Sequence, residues 1–431
     1  MLTLNSGRRS RKCDGSTRRD FLKVGALGCG LTLPGLLRAR AAESGSAVKN
    51  TSVVWVWLGG GPTHIETFDP KMTAPVEYRS VSGEVATKIP GVTLGGHFPE
   101  MAQVADKMTF VRSFAHTNSG HGGGTHFVMT GYDNRLIDAG GLPSRPSMGS
   151  IAARVRGANH RVTGMPTYIR LNGISSDGPA FLGTAYAPFG TSGEARRNMA
   201  LRTPLERVDD RRQLRADLDR FRKEADQSGL MEGLDAFEKQ AFNLVLGEAP
   251  KAFDLKHEDP KTVKAYGNGL GQQLLIARRL CEAGCGFVTM QYGGWDMHGK
   301  VLNSMKSRGT HVDHAVATFV QDLSQRGMLD DVLLVITGEF GRTPKINRNA
   351  GRDHWAPLST LALAGGGLPR GVVVGESMPK ADIPKTAPIR PQDLMATVFD
   401  VLGIDRSVRF MDQAGRPNAM LESGKPISRF L

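Results

Sequence analysis

Four polar, glycine-rich segments carry the residue types that metal-dependent and hydrolytic sites use. They lie at residues 59–69, 116–126, 293–299 and 337–355. Each follows a short apolar run typical of a buried strand, and in open α/β sheets ligands bind at the carboxyl ends of the strands. Carboxylates and imidazoles can hold a divalent metal while leaving a coordination position open for substrate. These segments are therefore candidate parts of one site.

The strongest ligand candidates are an acid and an imidazole that follow the same strand. Asp296 and His298 are two residues apart. On an extended strand end they point the same way, and on a tight loop both can reach one ion. Glu339 ends another strand, as a ligand at the carboxyl edge of a sheet should. The alternative for an Asp-x-His pair is a local hydrogen-bonded turn.

Two arginines and a glycine run could contact an anion. The guanidinium groups of Arg342 and Arg352 offer paired donors to an anionic oxygen, and the alternative for either is a salt bridge with Asp353 or Glu339. The three glycines after His121 either let backbone N–H groups approach an anion at a helix start or serve packing. Five further histidines are interpreted as structural or surface residues: His97, His160, His257, His311 and His314.

The elements that would position these residues alternate between strand and helix. Strands are predicted, for example, at 52–58, 107–112, 166–171, 286–292, 331–337, 359–364 and 371–375. Helices are predicted at 261–282, 310–326 and 391–402. This order predicts an α/β fold, with a doubly wound, mostly parallel sheet sandwiched by helices. Residues 183–260 are rich in Arg, Asp, Glu and Leu at helical spacing and predict a helical insertion.

The first residues have the pattern of an export signal. The paired arginines Arg18 and Arg19 precede an apolar stretch at 24–37, and the small residues of 39–41 form an A-x-A cleavage site. We therefore expect residues 1–42 to be a twin-arginine signal and 50–431 the functional domain, exported to the periplasm or cell envelope. The alternative is an uncleaved anchor. No other segment approaches a membrane span.

Charge and cysteine usage narrow the classes of partner. The chain has a formal net charge of +13, but residues 1–41 hold nine basic and two acidic residues, which leaves 46 basic and 40 acidic ones. This mild excess, without a basic stripe interleaved with aromatics, argues against nucleic-acid binding. Two cysteines, Cys281 and Cys285, remain in the mature chain, and two are too few for a structural zinc site. They are expected to be free thiols or to form a disulfide.

The four segments resemble a known family. Four motifs carry the resemblance to the domain-of-unknown-function 1501 family: WLGGGPTHIETFDP at 57–70, GGWDMH at 293–298, GEFGRTP at 338–344 and GRDHW at 351–355. The resemblance spans roughly residues 16–431. It implies twin-arginine export and an alkaline phosphatase/sulfatase-like fold with a metal site at the strand ends.

The resemblance also suggests roles for individual residues. Counting nine positions back from Thr130-Gly131 places His121 where the superfamily has its nucleophile, with Ser119, Thr117 or Thr125 as substitutes. Ser119, Thr125 and His126 are taken as substrate contacts.

The superfamily's metal ligands are partly replaced in this sequence. Glycines stand where the first strand of sulfatases ends in acidic ligands, so His64, Glu66 or Asp69 would compensate. Phe340 follows Glu339 where a second imidazole is expected, and His354 resembles the last metal histidine. The complete predicted ligand set is His64, Asp296, His298, Glu339 and His354.

These observations lead to one main functional hypothesis and two alternatives. The main hypothesis is an exported hydrolase of a phosphate or sulfate ester, acting on a small molecule or glycan. It would use one divalent metal rather than two, with zinc, manganese and calcium as candidates, and His121, Arg342 and Arg352 as catalytic residues. The first alternative is a non-catalytic, degenerate hydrolase that binds an anionic glycan or cell-surface partner. The second is a structural component of the envelope.

Overall fold

The computed structural model describes residues 50–160, 162–191 and 249–430. These ranges belong to the unit Asn50–Leu431. The predicted signal at 1–42 and most of the predicted insertion at 183–260 lie outside the described residues. Within the described ranges, no helix combines the length and apolar character that a membrane span requires.

Within the described residues, the strands build one large sheet and three small ones. The large sheet has the order β12-β4-β11-β8-β1-β7-β5-β6. The strands are β1 (Ser52–Trp57), β2 (Glu84–Ala86), β3 (Thr93–Gly95), β4 (Met108–Val111), β5 (Tyr168–Arg170), β6 (Phe189–Gly190), β7 (Phe287–Gln291), β8 (Val332–Thr337), β9 (Gly341–Arg342), β10 (His354–Trp355), β11 (Leu361–Gly365), β12 (Val372–Val374), β13 (Arg409–Met411) and β14 (Pro417–Ala419).

Strand direction in the large sheet confirms the predicted fold class. β1 pairs in parallel with both β7 and β8, so Val54 lies between Val288 and Leu334. β11 runs antiparallel to both of its neighbours, β4 and β8, and the other pairings in the sheet are parallel. The sheet is therefore mostly parallel with one reversed strand.

Helices cover both faces of this sheet. They are α1 (His64–Thr67), α2 (Pro99–Gln103), α3 (His121–Thr130), α4 (Met148–Arg156), α5 (Ala249–Phe253), α6 (Pro260–Tyr266), α7 (Leu270–Glu282), α8 (Val301–Gln325) and α9 (Pro391–Leu402). Short 3₁₀ turns lie at Ala105–Lys107, Arg135–Ala139, Ala180–Leu182, Thr184–Tyr186, Leu255–His257 and Ile427–Phe430.

The central strand β1 shows why the sheet lies between two layers. All six of its residues are buried, as expected for a strand covered on both faces. Val54 and Val56 join the core that contains residues of α2, α7 and α8. Val53, Trp55 and Trp57 point the other way, into the core that contains residues of α4 and α9. The period of two along the strand divides its side chains between the two cores.

Two predicted helices differ from those found. The segment 261–282 is divided at Gly267 and Gly269, which have φ values of +65° and +64°. Because a residue with a Cβ is strained at such φ values, a Gly-Asn-Gly sequence is suited to end one helix and start another. The helix predicted at 310–326 begins earlier, at Val301. Cys281 and Cys285 are free thiols.

The carboxyl ends of four strands meet at one edge of the sheet. β1 ends at the glycine turn 59–61, β4 leads into α3, and β7 and β8 lead to 292–298 and 338–342. β7, β1 and β8 are adjacent and parallel, so their following loops must lie side by side. This edge carries the segments with candidate chemistry.

A buried acid on α8 caps a helix and generates a pH prediction. The carboxylate of Asp313 accepts hydrogen bonds from the N–H groups of Glu100 (2.9 Å) and Met101 (2.6 Å) in α2. Burial nevertheless raises the pKa of Asp313 to about 6. An unfolded Asp has a pKa of about 3.9, so the folded protein binds this proton more tightly.

We expect the contribution of Asp313 to stability to be present below about pH 4 and to be lost as the pH rises through about 6. In Asp313→Asn this titration is absent, so wild type should lose stability relative to the variant from about pH 4 to about pH 7. Urea unfolding of both proteins across this range measures the difference. Asp331→Asn, at an exposed carboxylate, is the control. A difference between wild type and Asp313→Asn that does not change with pH would contradict the prediction.

Candidate functional site

Five predicted site residues meet at the carboxyl edge of the sheet. His121 is the first residue of α3, which follows β4. Asp296 and His298 lie in the loop after β7, and Glu339 is two residues beyond β8. His354 begins β10, which pairs with β9 to form a two-stranded ribbon. The loops therefore bring together residues that are up to 233 positions apart in the chain.

Asp296 is the centre of the cluster. Its Oδ1 lies 3.0 Å from Nε2 of His298 and 3.2 Å from Nε2 of His354. Its Oδ2 lies 3.6 Å from Nε2 of His121. The Nε2 atoms of His298 and His354 are 3.1 Å apart. Ligand atoms of His121, Asp296 and His354 all lie within 4.8 Å of one another, so the group is small enough to surround one ion.

Each of the three histidines is held through its other ring nitrogen. Nδ1 of His121 lies 2.8 Å from Oε1 of Glu339, and Nδ1 of His298 lies 2.6 Å from Oδ1 of Asp353. Nδ1 of His354 lies 2.9 Å from the carbonyl oxygen of Ser119. An acceptor at Nδ1 places the proton there and leaves the Nε2 lone pair facing the centre. This is the arrangement that orients histidines around a metal ion.

Glu339 supports His121 rather than joining the central group. Its side chain is buried, and its Oε1 accepts both the His121 contact and the N–H of Gly60 at 2.8 Å. Its Oε2 has no hydrogen-bond partner among the described residues. The hydrogen bond to Glu339 is the main reason that the pKa of His121 is raised. The predicted role of Glu339 as a metal ligand is therefore replaced by contact with an imidazole.

Arg342 fixes the charge of Asp296. Its side chain is fully buried, and Nη2 lies 2.6 Å from Oδ1 of Asp296. Nε donates to the carbonyl of Gly61 at 2.8 Å, and Nη2 also contacts the carbonyl of Gly60. Although partial burial opposes ionisation, Arg342 lowers the pKa of Asp296 to about 2. Asp296 is consequently an anion over the whole physiological range.

The glycine turn after β1 allows this close approach. A Cβ on Gly60, which has φ +114°, would lie 2.4 Å from the backbone nitrogen of Asp296. One on Gly61, with φ +78°, would lie 2.3 Å from the ring of Phe340. That ring packs on the imidazoles, with centroids 4.3 Å from His354 and 5.1 Å from His121. Glycine is therefore required where the ends of β1, β7 and β8 converge.

The structure does not bring His64 into the cluster. Its Nε2 lies 2.8 Å from the carbonyl of Ala381, and burial lowers the pKa of His64 to about 4. Its Nδ1 has no partner among the described residues. Of the proposed substitutes, Asp69 lies 3.4 Å from both Lys71 and Arg112. Both His64 and Asp69 are buried on or just after α1, and their side chains are engaged there by partners outside the Asp296 cluster.

Arg352 is also outside the cluster. Its Nη2 lies 2.9 Å from Oε1 of Glu66, and both side chains are fully buried. Further donors of Arg352 reach the carbonyls of Arg79, Thr343 and Pro344. The partner is neither Asp353 nor Glu339. With its donors engaged inside the protein, Arg352 is placed to stabilise the loop and not to contact a substrate.

Of the three predicted substrate-contacting residues, Ser119 is the one that contacts an imidazole of the cluster. The Ser119 carbonyl holds His354, and its Oγ accepts the N–H of Ala356 at 3.1 Å. Thr125 donates to the carbonyl of His121 at 2.6 Å inside α3. The imidazole of His126 is fully buried, with Nδ1 2.8 Å from the carbonyl of Tyr132. Thr125 and His126 therefore stabilise the helix and its following turn.

The glycine amides at the start of α3 already have an anionic partner. The N–H groups of Gly122 and Gly123 donate to Oδ1 of Asp138 at 2.8 and 3.1 Å. Of the two alternatives for the glycine run, these amides do contact an anionic group, but it belongs to the same chain.

The site that the fold defines is a cluster of imidazoles around one ionised carboxylate, at the strand ends of a mostly parallel sheet. The sequence matches the family described as "Protein of unknown function (DUF1501)" over residues 50–431. The chain belongs to this family. A comparison with curated proteins gives no match.

Several solved structures are similar in fold. The lipoteichoic acid synthase LtaP from Listeria monocytogenes matches with 11% identity and a TM-score of 0.39, covering 89% of this chain and 76% of that one. The PsFucS1 sulfatase from Pseudoalteromonas sp. matches with 12% identity and a TM-score of 0.42, covering 91% and 74%. The C-terminal periplasmic domain of EcEptC from Escherichia coli, in complex with Zn, matches with 11% identity and a TM-score of 0.36, covering 82% and 83%. These similarities concern the fold alone.

The buried pair of Arg352 and Glu66 generates a stability prediction. Removing the guanidinium in Arg352→Ala leaves the carboxylate of Glu66 buried without its counterion, which costs about 3–5 kcal/mol of unfolding free energy. Arg348→Ala, an exposed arginine in the same loop, should change it by less than about 0.5 kcal/mol. Urea unfolding of the two variants measures the difference. Equal stability of the two variants would show that the pair is not structural.

Proposed function

We propose that this protein is an exported, metal-dependent hydrolase of a phosphate or sulfate ester. The observation that carries the proposal is the set of three Nε2 atoms that face the carboxylate of Asp296, each with its Nδ1 anchored by an acceptor. The signal pattern at residues 1–42 supports export. The support for hydrolysis is the chemistry of this donor set at the strand edge where α/β enzymes bind ligands.

The donor set fits one divalent ion. The three distances among Oδ1 of Asp296, Nε2 of His298 and Nε2 of His354 are 3.0, 3.1 and 3.2 Å. Tetrahedral ligands on metal bonds of about 2.0–2.1 Å are separated by about 3.3 Å. Two nitrogens and one oxygen suit zinc or manganese better than calcium, which prefers oxygen ligands. We infer that these three residues hold one such ion, and that His121, whose Nε2 is farther from the Asp296 carboxylate at 3.6 Å, faces the ion without binding it.

A divalent ion in this position would supply Lewis-acid polarisation of an ester oxygen and activation of water. The side chains of the protein would carry out the proton transfer and stabilise the charges. Nε2 of His121 faces the centre and takes the proton of the attacking water, while Glu339 keeps the proton on Nδ1 and stabilises the imidazolium that forms. Arg342 keeps Asp296 ionised and adds positive charge beside the position of the ester oxyanion.

One observation favours a second function. The ion pair between Arg342 and Asp296 provides a positive partner for the carboxylate from within the protein. A degenerate hydrolase that binds an anionic glycan or a cell-surface partner without turnover could use this arrangement with no metal. Metal content and turnover distinguish the two functions.

We expect the mature protein, purified after export without added metal, to contain about one equivalent of zinc or manganese. Asp296→Ala and His298→Ala should each lower the metal content at least tenfold, because each removes one of three ligands. His257→Ala, at an exposed histidine far along the chain from the cluster, should leave it unchanged. Elemental analysis of the folded variants measures this. A metal-free wild type that is fully folded would favour the binding function.

We expect slow hydrolysis of 4-nitrophenyl phosphate or 4-nitrophenyl sulfate by the metal-loaded protein. His121→Ala should lower kcat by about 10²–10⁴-fold while keeping the metal, because it removes the base and no ligand. Glu339→Gln keeps the shape of the side chain but removes its charge, and should lower kcat by about 10²-fold or more. Loss of metal in His121→Ala would instead make His121 a ligand. No turnover of either ester with any metal would overturn the hydrolase proposal.

A further inference from the structure

A cavity of about 460 Å³ opens beside the site, on the α7 and α8 side of the sheet. Its size is within the range of small-molecule pockets. It lies where the Gly-Asn-Gly segment 267–269 joins α6 to α7, against the end of β7 and the middle of α8. The residues that line it are Tyr266, Gly267, Asn268, Gly269, Leu270, Gly271, Tyr292, His311, His314 and Ala315. None of the described lining residues carries a carboxylate.

The cavity and the Asp296 centre share one loop. Tyr292, at the cavity, is four residues before Asp296. At no more than about 3.6 Å per residue, their Cα atoms are within about 14 Å of each other. A Cβ on Gly294, between them, would lie 2.7 Å from Nε and Nη2 of Arg308. The guanidinium of Arg308 therefore lies directly against the backbone that connects the two places.

Arg308 and its neighbours form a cationic and aromatic surface. The guanidinium carbon of Arg308 is 5.2 Å from the ring centroid of Tyr292. The hydroxyl of Tyr292 lies 2.9 Å from Nδ1 of His311. Arg308, His311 and Tyr292 come from one turn of α8 and from the strand end, so their relative positions are set by regular structure.

Two polar groups of this surface have no hydrogen-bond or ion-pair partner in the described part of the chain. Arg308 makes no ion pair or hydrogen bond with any described residue, and neither does Nε2 of His311. In contrast, both ring nitrogens of His314 are engaged, by Glu100 and by the carbonyl of Ala265, each at 2.9 Å. A half-buried guanidinium without a carboxylate is unusual inside a fold where most buried charges are paired.

We propose that this cavity binds an anionic sugar ring of the substrate, with the ring against Tyr292 and its carboxylate or sulfate at His311 and at Arg308, which borders the cavity beside the Tyr292 ring. The described lining residues carry no carboxylate, which favours an anionic ligand over a cationic one, and an aromatic ring beside two cationic donors suits a charged pyranose. The inference rests on the proposed function, because it makes the substrate of the Asp296 centre an anionic glycan that carries a second charged group. The exposed side-chain amide of Asn268 offers a hydrogen-bond partner for a sugar hydroxyl.

Calorimetric titration with a heparin-derived hexasaccharide tests the subsite. Wild type should bind it, and Arg308→Ala, His311→Ala and Tyr292→Ala should each weaken binding about tenfold. Lys306→Ala removes a positive charge from the same helix at an exposed position about 200° around the helix from Arg308, and should leave the affinity within twofold. Desulfated and carboxyl-reduced forms of the hexasaccharide show which anion is bound. Thermal melting confirms that each variant is folded.

The outcomes separate this inference from the hydrolase proposal. Binding that survives EDTA and is lost in Arg308→Ala and His311→Ala supports the subsite, even if the protein contains no metal and hydrolyses nothing. Binding that is equal in wild type and all three cavity variants overturns the subsite and leaves the hydrolase proposal intact. Absence of binding by wild type overturns it as well.

Discussion

The ion pair between Arg342 and Asp296 holds the site together. A buried guanidinium is tolerated only when its charge is balanced and its donors are satisfied. Here Asp296 balances the charge, and the carbonyls of Gly60, Gly61 and Arg352 accept further hydrogen bonds. The pair thus ties the turn after β1 to the loop after β7 and to the ribbon after β8. The imidazoles collect around a carboxylate whose charge and position are already set.

A second layer of acceptors orients those imidazoles. Glu339, Asp353 and the Ser119 carbonyl come from three separate segments, and each engages one Nδ1 atom. Such a layer lowers the cost of reorganisation when a ligand enters, because the rings are already in place. The packing of Phe340 against two of the rings adds a steric constraint to these hydrogen bonds. The centre is therefore rigid on its protein side and open on the other.

Much of the fold could be predicted because the sequence features that specify strands and turns are local. The β-branched and aromatic run of β1 and the apolar run of β8 specify buried strands on their own, and glycine runs after strands specify close turns. The break at 267–269 was missed, because a helical pattern of apolar residues continues across it. Only the φ values of the two glycines end the helix there.

The site was predicted in part, since sequence order shows which residues follow a strand but not where their side chains point. Asp296, His298, His354 and Arg342 meet as expected. His64 also follows a strand, but it lies in α1 and its side chain is buried. Arg352 forms its ion pair with Glu66, which is 286 positions away in the chain. The sequence indicates Asp353 only as a possible salt-bridge partner of an arginine. Its contact with His298 depends on the β9–β10 ribbon, whose two-residue strands leave no clear pattern in the sequence.

The contact of Asp138 with the first turn of α3 means that any incoming anion competes with a carboxylate of the same chain. The amides of Gly122 and Gly123 are held by a carboxylate that belongs to the same chain. A tethered group of this kind competes at an effective concentration on the order of millimolar, whatever the ligand concentration outside. A free monocarboxylate has little advantage over it, whereas a group with more charge or more acceptor oxygens does. An incoming anion therefore has to displace the carboxylate of Asp138 before it can contact these two amides.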